Sequence, residues 1–194
     1  MPNSDAPFGL KPVRYISGAP YNGAVNRYKV PSTDSTAAMF IGDPVNLVGT
    51  ADVDGTPHVG LATVGTAVTT DRILGAIVAF EADINTSLVY RADDTTRYVY
   101  VADDPDLLFE MQEDGNMNVT AVGGTCQIVS GTGNIYTGSS GYEIDSSEAA
   151  QTATDQLLIV SPSPRPDNDP AAANAKWLVK INMHARAPGV AGIS

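Results

Sequence analysis

Cysteine, histidine and tryptophan are scarce in this chain of 194 residues, which has one Cys, two His and one Trp. A lone Cys126 excludes an internal disulfide framework and suits a reducing compartment. With no histidine or basic residue near it in sequence, Cys126 reads as an inert buried thiol. Positive charge is short as well: Lys and Arg number 11 against 22 acids, a net charge of −11. That balance argues against nucleic acid or an anionic membrane as a partner, since both need clustered cations. No apolar run reaches the ~18 residues of a membrane span. The opening MPNSDAPFGL lacks the basic and apolar regions of a signal peptide, so the sequons at Asn85 and Asn118 read as chance.

Long amphipathic stripes of helical period are also missing. Gly 18 and Pro 13, with charged residues at 17%, instead point to short strands joined by turns. A chain of this length buries about 70% of its unfolded surface as one domain and needs no metal or disulfide staple. The groups that carry catalysis are thin. His58 lies in a turn-like segment and His184 on the polar face of the last strand. Gly138-Ser139-Ser140-Gly141 has the wrong spacing for a nucleophile elbow, and neither HExxH nor CxxC occurs. Asp52-Val53-Asp54-Gly55 lacks the further ligands of a calcium loop and reads as a turn. No enzymatic activity, metal or cofactor is expected, although the many acids leave a glycosidase open by inventory.

What is present is alternation. Arg97-Tyr98-Val99-Tyr100-Val101 is rich in β-branched and aromatic residues, and Leu107, Phe109 and Met111 fall on one face by period two. Asp103-Asp104-Pro105-Asp106 between them supplies turn chemistry, so the pair reads as a hairpin with an acidic tip. Asn26–Val30 alternates, and Met39–Val48 reads as two strand pieces hinged at Gly42-Asp43-Pro44. Ile73–Phe80 is the most apolar run and reads as a core strand, with Gly75 at a bulge or close backbone approach. Met117–Val122 and Gln156–Val160 read as further strands, and Ser146–Gln151 as one or two capped helical turns. Pro162, Pro164, Pro166 and Pro170 predict a stiff surface loop. Trp177, Val179, Ile181 and Met183 share a face on a strand that should close the core.

The expected fold is all-β, a single-domain β-sandwich or barrel of jelly-roll type with at most one short helix. Residues 1–24 show no sustained period and read as an extended N-terminal arm; 25–184 form the β domain and 185–194 a C-terminal arm. Extended, 24 residues span about 80 Å, against a radius of gyration of ~16 Å for a compact domain of this length, so the arm could reach a neighbour. Charge is uneven. Between Tyr98 and Pro164 there is no Lys or Arg, yet ten acids occur: Asp103, Asp104, Asp106, Glu110, Glu113, Asp114, Glu143, Asp145, Glu148 and Asp155. Such an acidic body with mildly basic ends suits contacts between copies or with a shell.

Several segments carry a resemblance. Ala6-Pro7-Phe8-Gly9-Leu10-Lys11-Pro12-Val13, Ile41-Gly42-Asp43-Pro44-Val45, Val101–Asp106 followed by Phe109-Glu110, and Pro164–Asn168 with Ala175–Asn182 resemble tailed-phage virion proteins described as capsid decoration or cement proteins. The family's opening often carries Arg where this chain has Lys11, a weaker bidentate donor. The resemblance implies an all-β accessory protein on the outer surface of an icosahedral head, assembled in the host cytoplasm, with the major capsid protein as partner and no catalytic residues. Under that reading the capsid contacts are expected at Pro7, Phe8, Leu10, Lys11, Arg14 and Tyr15. Contacts between copies, in a homotrimer first and a dimer second, are expected at Asp103, Asp104, Asp106, Arg165 and Asp167. The competing reading is a carbohydrate-binding or tail-associated adhesion module.

Overall fold

The structure, a computed structural model, describes residues 3–33, 37–65, 72–147 and 153–187. Its strands are β1 (Lys11–Tyr15), β2 (Asn26–Val30), β3 (Pro44–Ala51), β4 (Pro57–Leu61), β5 (Ile73–Phe80), β6 (Arg97–Ala102), β7 (Leu107–Gln112), β8 (Thr125–Cys126), β9 (Ile128–Val129), β10 (Glu143–Ile144), β11 (Leu157–Pro162) and β12 (Lys176–Ile181). Among the described residues the one helical element is a 3-10 turn, Val119–Ala121, begun by Asn118, whose side chain accepts the Thr120 N–H. The fold is all-β, as the alternation predicted. Met117–Val122 holds that 3-10 turn instead of a strand, because the Asn118 side chain offers the backbone a local partner. Of the expected helical turns at Ser146–Gln151, residues 148–151 lie outside the described residues.

Two units share a wall. Strands β2, β4, β3, β5 and β6 close into a barrel, antiparallel throughout except for the β2–β4 seam, where Lys29 faces His58. An open sheet runs in the order β1-β7-β12-β11-β8. Leu74 and Ile77 of β5 point into the barrel core with Tyr28, Val30, Val45, Val59, Val99 and Val101. Ile73 and Ala76 of the same strand, with Ala102 of β6, face the second core against Phe109, Met111, Trp177 and Val179. A strand buried on both faces must be apolar at nearly every position, which is why Ile73–Phe80 is the greasiest run in the chain. Gly75 is required there, since a Cβ would stand 2.1 Å from the Ala102 carbonyl oxygen.

The acidic hairpin is not formed. β6 and β7 both exist, but β6 pairs with β2 and β5 while β7 pairs with β1 and β12. Asp103–Asp106 is thus the crossover from barrel to sheet, since each strand already has two partners. Asp103 is buried at its start and accepts hydrogen bonds from Asn26 Nδ2, Tyr28 Oη and Arg186 Nη1. Burial, and then the bond to Asp103, push the Tyr28 hydroxyl up to about 12.

Nor are residues 3–24 a free arm. Leu10 is wholly buried in the sheet core, Lys11–Tyr15 is the strand β1, and the Asn3 amide donates to the Asp169, Ala172 and Ala173 carbonyls. The strand escaped the sequence reading because a bulge between Pro12 and Arg14 breaks its alternation. At the other end Ala185 donates its N–H to Ile73 and Arg186 reaches Asp103, so 185–187 pack on the barrel as well. The rest of the expected C-terminal arm, 188–194, lies outside the described residues.

Beside the start of β3, Asp43 sits 1% exposed and its Oδ2 accepts the Phe40 N–H. Burial pushes its carboxyl up to about 6, against hydrogen bonds from Ser140 and the Phe40 amide that pull it down. A folded value above the unfolded one stabilises the protonated form. Its contribution is therefore fully present below about pH 4 and lost as pH rises through 6. Wild-type unfolding free energy should fall by about 2–3 kcal/mol from this group between pH 4 and pH 7. Asp43→Asn should flatten that part of the profile in urea titrations at several pH values, gaining stability over wild type at pH 7.5 and not at pH 4.

Candidate functional site

The outer face of the open sheet follows from alternation. Leu107, Phe109 and Met111 enter the core, which turns Leu108, Glu110 and Gln112 outward; on β12 Trp177, Val179 and Ile181 enter and Lys176, Leu178 and Lys180 turn outward. β1 is an edge strand, and its bulge matters. Lys11 faces Glu110 and Arg14 faces Leu108, while Pro12 and Tyr15 face Phe109 and Leu107. Residues three apart on a regular strand would point to opposite sides; the unpaired Val13 restores the phase and puts Lys11 and Arg14 on one face. A groove runs beside them, lined by Pro12, Val13, Glu110, Pro164, Arg165 and Leu178.

Charge on this face is divided into used and unused. Glu110, 4% exposed, is held by the Ser163 hydroxyl and by Arg165 Nη1 at 3.3 Å, so it does not take Lys11 although the two are cross-strand neighbours. Arg165 also grips Asp167 at 3.0 and 3.1 Å, and Lys180 pairs with Asp106 at 3.1 Å. Elsewhere Arg27 pairs with Glu81, Lys29 with Asp52 and Arg186 with Asp103, while Arg72 donates to the Ala187 carbonyl and Arg97 to that of Tyr90. Among the described residues, Lys11 and Arg14 are the solvent-reaching cations without an ion pair or side-chain hydrogen bond; Lys176, at 8% exposure, is buried.

The expected contact residues are therefore sorted. Lys11 and Arg14 stand together at the groove. Pro7, Phe8 and Tyr15 are half-buried, Tyr15 against the sheet core, and Leu10 is inside. Of the residues expected between copies, Asp103 is internal and saturated, Asp106, Arg165 and Asp167 are exposed but paired within the chain, and Asp104 is exposed. The acidic stretch is not one face: Asp103, Glu110, Glu113 and Asp155 are buried, with Glu113 accepting the Met117 and Ala175 amides and Asp155 accepting from Thr125 and Gln127. Glu110, Ser163 and Leu178, which build the groove, were not among the expected contact residues; the outward phase of Glu110 and Leu178 was the available signal.

The reactive residues are placed structurally. Cys126 is fully buried and burial pushes its thiol up. It should resist alkylation by iodoacetamide in the folded protein and react on denaturation, checked by mass. His184 is buried, its Nδ1 accepting the Arg186 N–H, and burial with the nearby Arg186 holds it below its ordinary value. His58 Nδ1 is 2.9 Å from the Thr50 hydroxyl. Among the described residues no group of three His, Cys, Asp or Glu is placed to hold a metal ion. No protein-family model, curated protein or solved structure matches the chain.

Proposed function

We propose that this chain is a structural virion protein that binds the outer surface of an icosahedral phage head and clamps neighbouring major capsid subunits. The observation that supports it is convergence. The segments that carry the resemblance are far apart in sequence but touch one another: Leu10 donates its N–H to Gly42, β1 pairs with β7 along Phe109-Glu110, β7 pairs with β12 along Trp177–Lys180, and Arg165 closes on Glu110. They form one structural unit whose outer side carries the groove with Lys11 and Arg14.

The attachment differs from a swinging arm. Residues 3–24 pack on their own molecule, so the contact is made by a preformed face and carries little ordering cost. Many symmetric copies make a weak individual contact sufficient, since they act on the same shell. Assembly as a homotrimer, with a dimer second, belongs to the same proposal. Asp104 is the exposed acid of the expected rim that has no ion pair.

The test is to mix the purified protein with undecorated expanded heads and sediment them. Co-sedimentation with a raised head melting temperature is expected, and Lys11→Glu with Arg14→Glu should abolish it. Protein left in the supernatant, with a positive glycan array, would transfer the reading to a carbohydrate-binding module.

A further inference from the structure

From the outer face of β1 we infer the chemistry of what docks there: an extended segment of a partner protein in which acidic and apolar residues alternate. The inference rests on the shell-binding reading for the identity of the partner, and on the geometry of the groove for its chemistry.

Three features set that chemistry. First, the bulge at Val13 sets Lys11 and Arg14 opposite Glu110 and Leu108, two residues apart, and so about 7 Å from each other along the strand. That is the spacing of side chains on one edge of an extended chain, so carboxylates at alternate positions reach both cations, whereas adjacent carboxylates point to opposite sides. Secondly, the facing wall offers an apolar surface at Pro164, over the buried Leu178 and between the polar Ser163 and Arg165, with Pro12 and Val13 beside the cations. The residues between the carboxylates turn toward that wall. Thirdly, the other charged groups of the groove pair among themselves: Glu110 is held by Ser163 and Arg165, and Asp167 lies on the other side of the same Arg165. Lys11 and Arg14 are left as the two cations of the groove without an ion pair, in a protein of net charge −11.

Recognition runs through side chains. The outer edge of β1 is already covered by its own chain, with Tyr15 N–H donating to Ala19 and Tyr21 N–H to Val13, so an added strand has no free ladder along Val13–Tyr15. The groove thus selects by charge spacing and shape, which makes binding sensitive to salt.

The experiment uses two blocked, fluorescein-labelled peptides of the same composition, one alternating aspartate with valine and one with the aspartates adjacent, titrated by anisotropy at low salt. The alternating peptide is expected to bind about ten-fold tighter, and Lys11→Ala with Arg14→Ala should remove that preference, as two partly exposed ion pairs can. The double variant changes an exposed lysine and a half-buried arginine, and an unchanged melting curve confirms its fold. Equal binding of the two peptides, no binding up to millimolar concentration, or preference retained in the double variant overturns the inference. So does self-association of the wild type that the double variant loses, since a second copy then fills the groove. A flat titration with intact head binding removes the inference and leaves the proposed function; head binding that fails while the peptide preference holds does the reverse.

Discussion

Replacing Gly42 by alanine is expected to lower the unfolding free energy by about 3 kcal/mol, as left-handed strain of ~1–3 kcal/mol adds to a forced overlap of similar cost. Gly42 has φ +98, and a Cβ there would stand 2.2 Å from the Phe8 carbonyl oxygen. The obstacle is backbone, so no rotamer relieves it. Gly42 donates its N–H to Ile77 of β5 and accepts from Leu10, which makes it the point where the N-terminal segment is fastened to the barrel. Gly55 is the control: its φ is +86 but nothing lies within 4 Å of a new Cβ, so Gly55→Ala should cost only the strain, about 1 kcal/mol. In thermal melts the first variant should fall by about 10 °C and the second by about 3 °C, at ~2–4 °C per kcal/mol for a domain of this size. Equal shifts would show that the close approach at Phe8 carries no weight. Gly42→Ala should also weaken head binding, because displacing Phe8–Leu10 moves the adjoining β1.

Arg91→Met should be comparably damaging, with a loss of about 3 kcal/mol in urea unfolding, since three part-buried carbonyls lose a charged donor at ~1 kcal/mol each. Arg91 has no exposed surface; its Nε donates to Thr95, Nη1 to Ala37 and Nη2 to Pro31, at 2.7, 2.7 and 3.4 Å. Its backbone also pairs both ways with Met39, so the residue ties three chain segments over one end of the barrel. Burial holds the guanidinium below its ordinary value. Arg91→Lys keeps the charge but not the fork, and should recover less than half of the loss. A variant as stable as wild type would mean that water replaces the three donors.

The strands most legible in the sequence are those with both a period and a hard boundary. Trp177, Val179 and Ile181 alternate without interruption, and β12 lies where that pattern placed it. Ile73–Phe80 and its close approach at Gly75 were readable because burial on both faces leaves no choice of residue. β1 was unreadable for the opposite reason: Pro12 and the extra Val13 erase the period, although that same irregularity is what sets Lys11 and Arg14 side by side. The candidate face was half visible. Lys11 and Arg14 stood out, but Glu110, Ser163 and Leu178 come to the groove through pairings between residues about 50 to 100 positions apart.

By itself the sequence determined the class of the fold, because strand propensity, period-two alternation and turn residues are local and act wherever the chain goes. It also determined the sparse stock of reactive side chains. Only tertiary structure decided that Asp103–Asp106 is a crossover and not a hairpin, that the N-terminal segment is a strand and not an arm, and that four of the acids are internal. Those outcomes depend on which strand edges are already occupied when a segment arrives. Edge occupancy is set by the whole sheet, and no local window of residues contains it.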